Sequence, residues 1–239
     1  MNIRAVICDI YGTILQVGPS PPNAAVLWDR LFAELTGGKP PLTRTQFAVA
    51  TAQIISRSHT DARRRGIQWP EVQWPGVVLA AIPALARLPA HQLDEFLLRQ
   101  MQIGRTLRLA EGAADCLRLM NQQQRVLGIA SNSQAYTRRE LETALSGAGI
   151  ALSIFDRDLQ FWSYEHGFSK PDPHVFRMLT ARLEARGIAP REILMVGDRL
   201  DNDIEPARAQ GWNTWLLARG KPTGELKGGA WSELREGLS

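Results

Sequence analysis

Two rhythms in the chain predict an α/β fold with a helical insertion. From residue 111 onward strands and helices alternate, which means a parallel sheet covered on both faces. Between about residues 21 and 107 the pattern is helical alone. A third observation relates the two. Ile3-Arg4-Ala5-Val6-Ile7-Cys8, apolar and rich in branched residues, reads as a buried strand that precedes the helical stretch. The helical segment is therefore expected as an insertion after the first strand, packed as a cap over its carboxyl end. The expected division is a core of residues 1–16 and 108–239 and a cap at about 17–107.

The elements follow in order. The first strand runs into Asp9-Ile10-Tyr11-Gly12-Thr13, where a carboxylate is poorly placed for packing but well placed for chemistry, because open parallel sheets build sites at the carboxyl ends of their strands. Pro21-Pro22-Asn23 marks a helix start. Breaks in the helical stretch are expected at Gly37-Gly38-Lys39-Pro40-Pro41, Trp69-Pro70 and Trp74-Pro75, and spacing such as Val26, Leu27, Leu31, Leu35 is amphipathic. A helix over about 112–123 precedes a strand at 126–130. A helix near 135–146, a strand around Ile154 and Gln160-Phe161, and a helix near 173–186 come next. A strand at 193–196, a helix at 203–210 and a strand at 214–217 complete the alternation.

With 239 residues the chain can hold one large domain or a core with an insert. At 44% hydrophobic and 22% charged residues, the composition is that of an ordinary globular protein. No apolar run approaches the roughly 18–20 residues that span a membrane, and the early first strand leaves no room for a signal peptide, so no membrane partner is expected. Cys8 and Cys116 make neither a metal nor a disulfide framework, and a cytoplasmic location is expected from two buried, reduced thiols. A net charge of +4 is mild, and Arg63-Arg64-Arg65 reads as a solvated face, so nucleic acid is not an expected partner.

Three further polar clusters follow strands or open helices. Ser131-Asn132-Ser133 comes directly after a strand, where a hydroxyl beside helix-start amides can hold a phosphate oxygen, or can simply cap the helix. Lys170 lies in Phe168-Ser169-Lys170-Pro171-Asp172-Pro173, a loop stiffened by two prolines. Gly197-Asp198-Arg199-Leu200-Asp201-Asn202-Asp203 ends a strand with several carboxylates. Gathered near Asp9, these would repel unless a cation sat among them, and hard oxygen ligands suit Mg²⁺. Asp203 read alone is also an ordinary acidic residue at a helix N-terminus.

Together, Asp9-Ile10-Tyr11-Gly12-Thr13, Ser131-Asn132, Lys170-Pro171 and Gly197-Asp198 with Asp203 resemble the four motifs of the haloacid dehalogenase-like hydrolase superfamily, in the subgroup with a helical cap. The resemblance covers nearly the whole chain and implies a Rossmann-like core. It implies Asp9 as a nucleophile that forms a covalent aspartyl intermediate. It further implies Thr13, Ser131 and Asn132 as substrate-binding residues and Lys170 as the neutralising cation. Mg²⁺ would be held by Asp9, the Tyr11 carbonyl, Asp198 and Asp203, with Asp198 the more direct acidic ligand.

Tyr11 is the departure. Phosphatases of the superfamily usually carry a second Asp there as general acid, and a phenol of unperturbed pKa about 10 is a poor substitute near neutral pH. Asp-x-Tyr-Gly-Thr is what the superfamily's haloacid dehalogenases carry, and those use no metal. Against that reading, they have Ser and Asn where this chain has Asp198 and its acidic neighbours, and a Tyr where this chain has Phe176. The leading expectation is a Mg²⁺-dependent phosphatase of a small phosphorylated metabolite. A 2-haloacid dehalogenase and a phospho-ligand-binding protein with little turnover are the alternatives. Glu71 stands as a second candidate acid; Arg30 and Arg44 are candidates for a substrate carboxylate.

Overall fold

The computed structural model describes residues 2–218 and 226–238. The chain folds as two compact units, Met1–Gln16 with Leu107–Ser239, and Val17–Thr106. The first unit is built on six strands: β1 (Ala5–Cys8), β4 (Val126–Ser131), β5 (Gln160–Trp162), β6 (Ile193–Gly197), β7 (Asn213–Leu217) and β8 (Gly228–Gly229). They form one sheet in the order β5-β4-β1-β6-β7-β8, and every neighbouring pair is parallel. Its helices are α5 (Ala113–Gln122), α6 (Tyr136–Gly147), α7 (Ser163–His166), α8 (Pro173–Glu184), α9 (Glu205–Arg208) and α10 (Trp231–Leu238). The chain leaves along β2 (Leu15–Gly18) and returns along β3 (Thr106–Leu109), which pair as a separate two-stranded sheet.

The parallel sheet exists because its central strands are apolar throughout. All four residues of β1 and all five of β6 are buried, as a sheet covered on both faces requires. One core cluster gathers Val6, Cys8, Leu127, Ile129, Leu194 and Val196 with residues of α5. The other gathers Ala5, Ile7, Ala130, Ile193 and Met195 with residues of α8. Alternate residues of one strand thus feed opposite faces. The register sets Cys8 opposite both Ile129 of β4 and Val196 of β6. The three adjacent strands therefore end within two residues of one another, and the loops that leave them start side by side.

The second unit is helical: α1 (Ala24–Thr36), α2 (Arg44–Arg64), α3 (Trp74–Ala81) and α4 (Ala90–Gly104). Trp28 lies 5.0 Å from the rings of both Phe32 and Phe47 and 6.1 Å from Phe96, so aromatic edges and faces supply its centre. A capping box at Thr43 and Gln46 starts α2.

Several boundaries differ from the sequence pattern. Trp74-Pro75, expected as a break, opens α3, since proline is tolerated in a first helical turn. Ile154 lies in a 3₁₀ turn rather than a strand, and only Gln160–Trp162 joins the sheet. The helix expected at 203–210 is a π turn, Leu200–Ile204, followed by the short α9. β8 and α10 lie beyond the last strand read from sequence.

α10 reaches back to the turn after β1. The buried Trp231 donates its indole N–H to the carbonyl of Thr13 at 3.1 Å. Trp231→Phe keeps an aromatic ring and leaves that carbonyl without the bond, so a loss of about 1–3 kcal/mol in urea unfolding is expected. A loss under about 0.5 kcal/mol would mean that the bond does not hold the turn.

Candidate active site

The turn after β1 is fixed by its backbone. Asp9 N–H donates to the Val196 carbonyl at 2.9 Å, extending the ladder by one residue beyond the strand. The Ile10 carbonyl accepts from Thr13 N–H at 3.2 Å and Leu15 N–H at 2.8 Å, and Gly12 N–H donates to the Leu15 carbonyl. Ile10 is buried with the apolar core. Gly12 has φ +82°, and a Cβ there would run into the Asp198 carboxylate, so glycine is required on both counts.

Lys170 ties the strand ends together. It is buried, and its Nζ donates to Asp9 Oδ1 at 2.8 Å and Asp203 Oδ1 at 2.5 Å. Its backbone is held by Asn132, whose Nδ2 donates to the Lys170 carbonyl at 2.8 Å and whose Oδ1 accepts from Lys170 N–H at 2.7 Å. The amide expected to meet substrate is thus used to hold the lysine loop. Asp203 also accepts from Arg199 N–H through Oδ2 at 3.1 Å. The π turn brings Asp203 back against β6, so closely that a Cβ on Gly197 would collide with it.

Charge is unevenly matched. Asp9, Asp198 and Asp203 each offer a carboxylate oxygen, and these oxygens lie within 4.8 Å of one another. Burial raises the Asp9 carboxyl to about 6; the Asp203 and Asp198 charges add to this and Lys170 opposes it. Burial and then the Asp203 charge also raise Asp198. Burial alone would lower the Lys170 ammonium, but Asp203 and Asp9 outweigh it and hold the group above its ordinary value. One ammonium against three carboxylates leaves an excess of two negative charges. An all-oxygen donor set with that excess fits a hard divalent cation.

Of the expected residues, Asp9, Lys170, Asp198 and Asp203 meet directly. Thr13 Oγ1 lies 3.5 Å from both Asp9 Oδ2 and Asp198 Oδ1. Ser131 is fully buried, and its Oγ has no hydrogen-bond partner among the described residues, as expected of a hydroxyl reserved for a ligand. Ser131-Asn132-Ser133 does not cap the next helix, because α6 begins after Ala135. Asp201 is exposed and pairs with Arg199, outside the cluster. In the helical unit, Glu71 accepts from Val72 N–H and Arg44 bonds Ser20.

Tyr11 turns toward α6. Its phenol oxygen lies 2.8 Å from Thr137 Oγ1 and 2.5 Å from Glu140 Oε2, and both partners are buried. Sequence reasoning did not single out Glu140 or Thr137. Their signal was an acid on the buried stripe of Tyr136, Thr137, Glu140, Leu141 and Leu145.

Comparisons with known proteins bear on the family of the chain. Residues 3–211 match the family model for haloacid dehalogenase-like hydrolases. An uncharacterized hydrolase of Schizosaccharomyces pombe is 33% identical over 218 residues, 89% of each chain. A phosphoserine phosphatase of Thermus thermophilus is 42% identical over 76 residues, 32% of this chain; this chain spans only 28% of that phosphatase. In structure, the chain resembles a 2-haloacid dehalogenase of Pseudomonas syringae with a TM-score of 0.67 at 18% identity, covering 99% of this chain and 98% of the other. On these matches the chain belongs to the haloacid dehalogenase-like hydrolases.

Proposed function

We propose that this hydrolase is a Mg²⁺-dependent phosphatase of a small phosphorylated metabolite, with Asp9 as its nucleophile. The observation that carries the reading is the excess of carboxylate charge around Asp9, with Asp198 and Asp203 within 4.8 Å. A carbon–halogen displacement gives no reason for such a cluster, because the halide leaves without charge-dense oxygens to neutralise. The short match to a phosphoserine phosphatase supports phosphate chemistry without naming the substrate. In this reading Val17–Thr106 is the cap unit that selects the substrate.

The steps assigned to the chain's own residues are few. Asp9 Oδ2, the oxygen not bonded to Lys170, attacks phosphorus as the bond to the leaving oxygen breaks. Water then attacks the aspartyl phosphate, releasing inorganic phosphate and restoring the carboxylate. Lys170 holds Asp9 in place and neutralises charge on the transferred group. Thr13, whose hydroxyl lies 3.5 Å from Asp9 and Asp198, and Ser131, whose buried hydroxyl has no partner among the described residues, orient phosphoryl oxygens. Asp203 holds Lys170 in place and adds a carboxylate to the cluster that would hold the cation. Asp9, Asp198 and the Tyr11 carbonyl would hold Mg²⁺, which would supply charge neutralisation to the phosphoryl oxygens.

The dehalogenase reading retains one supporting observation, the tyrosine at position 11. Assays of phosphate release from phosphorylated metabolites and halide release from 2-haloacids, with Mg²⁺ or chelator, separate the two. Phosphate release that depends on Mg²⁺ is expected; halide release with chelator present selects the alternative.

Asp9→Asn is expected to abolish phosphate release, and undiminished turnover in the purified variant would end the covalent mechanism. Asp198→Ala is expected to weaken Mg²⁺ binding at least tenfold by titration calorimetry, while circular dichroism stays that of the parent. The pH dependence has a definite sign. The Asp9 carboxyl is near 6 when folded and 3.8 as a free group, so the native state binds more protons between those values. With chelator present, thermal stability should fall as pH rises from about 4 to about 6. Added Mg²⁺ should recover it above pH 6 and do little near pH 4. A stability that rises across that window would contradict the assignment of Asp9 to a buried, cation-dependent cluster.

A further inference from the structure

A phenol has one proton to give. Tyr11 Oη faces two oxygens on α6, and those belong to Thr137 and Glu140, three residues apart and so on one side of the helix. Gln134 N–H donates to Thr137 Oγ1 at 3.3 Å. A consistent chain then runs from Gln134 N–H to Thr137 Oγ1, from the threonine hydroxyl to Tyr11 Oη, and from the phenol to the Glu140 carboxylate. The last link, at 2.5 Å, is the shorter of the two made by the phenol oxygen. Bonds arranged head to tail reinforce one another, and burial of Thr137 and Glu140 keeps water from competing for them.

We propose that Glu140 and Thr137 withhold the Tyr11 hydroxyl from the leaving group, so that the site takes acyl phosphates in preference to alkyl phosphate esters. The inference rests on the reading of Asp9 as a phosphoryl acceptor. An acyl phosphate releases a carboxylate, whose conjugate acid has a pKa of about 4 and needs no proton at neutral pH. An alkyl ester must release an alkoxide, comparable in basicity to hydroxide from water of pKa about 15.7, and that departure requires an acid. In the first step an Asp9 oxygen bonds to phosphorus while the bond from phosphorus to the acyl oxygen breaks, its electron pair leaving with the carboxylate. One acyl phosphate is exchanged for another, and no proton moves. In the second step water bonds to phosphorus, the Asp9 oxygen leaves with its electron pair, and the water proton passes to solvent. Glu140 is thus a positioning residue that sets specificity by holding another side chain.

The test compares kcat/KM for acetyl phosphate and glycerol 3-phosphate, with Mg²⁺, in the full chain and in Glu140→Gln. The parent is expected to prefer acetyl phosphate by at least about 100-fold, the lower end of what a positioned acid contributes. Gln keeps the shape but replaces one carboxyl oxygen with an amide donor, which cannot accept the phenol proton. The acyl-to-alkyl ratio should therefore fall at least tenfold, through a rise in kcat on glycerol 3-phosphate with its KM unchanged. Phosphate release with a parental ratio below 100, or a smaller fall in folded Glu140→Gln, overturns the inference alone. Absence of release from both probes overturns the phosphatase reading with it. If Glu140→Gln does not fold, Tyr11→Phe decides. Its ratio should stay within tenfold of the parent's, and a larger rise would mean that the phenol had been protonating the alkyl leaving group.

Discussion

The bonds from buried Lys170 to Asp9 and Asp203 are the constraint on which the rest of the site depends. Removing an ammonium and two carboxylates from water costs several kcal/mol per ion, and their attraction repays this only when the geometry is close and the remaining donors and acceptors are satisfied. The surroundings meet that condition from three sides. Asn132 fixes the lysine backbone, Arg199 N–H donates to the second oxygen of Asp203, and the β1–β6 ladder continues through Asp9 N–H. Removing any one partner would strand a buried charge. The same lysine that stabilises the cluster also limits it, because a single ammonium leaves Asp198 and its neighbours short of positive charge.

Much of this architecture was readable in the sequence because it is carried by local patterns. Ala5–Cys8 and Ile193–Gly197 are too uniformly apolar to be anything but central strands of a covered sheet. A polar residue immediately after such a strand is then placed by topology alone. That is why Asp9, Ser131 and Asp198 were identifiable as neighbours although they are far apart in the chain, whereas Lys170, which follows α7, was tied to them by the family resemblance. Gly12 and Gly197 were visible as glycines, but the reason for them was not. Each marks a carboxylate from elsewhere pressed against the backbone.

What could not be read depends on distant pairings or on geometry that leaves no periodic trace. The π turn at Leu200–Ile204 has the composition of an ordinary helix start, and only its extra residue per turn draws Asp203 inward. Trp231 is one aromatic among many until its indole is found on the carbonyl of Thr13. Tyr11 was conspicuous as a departure from the family pattern, yet its hydrogen-bond partners come from α6, more than a hundred residues on. Asn132 follows its strand as the motif suggests, but its side-chain bonds are made to a loop backbone, and no local pattern announces that.

The central position of β1 has a consequence for the order of events at the ribosome. Ala5 pairs with Val126 on one side and with Ile193 on the other, and the Trp231 bond to Thr13 spans 218 residues. Asp9 is synthesised well before Lys170, the acidic loop and the indole that hold it and its turn. At about 5–20 residues per second, a nascent chain carries an unassembled first strand for many seconds before its partners emerge. Pairings this remote in sequence slow folding, and an apolar strand waiting for both neighbours is a natural client for chaperones. The cluster around Asp9 is therefore assembled only after Lys170, Asp203 and Trp231 have been made.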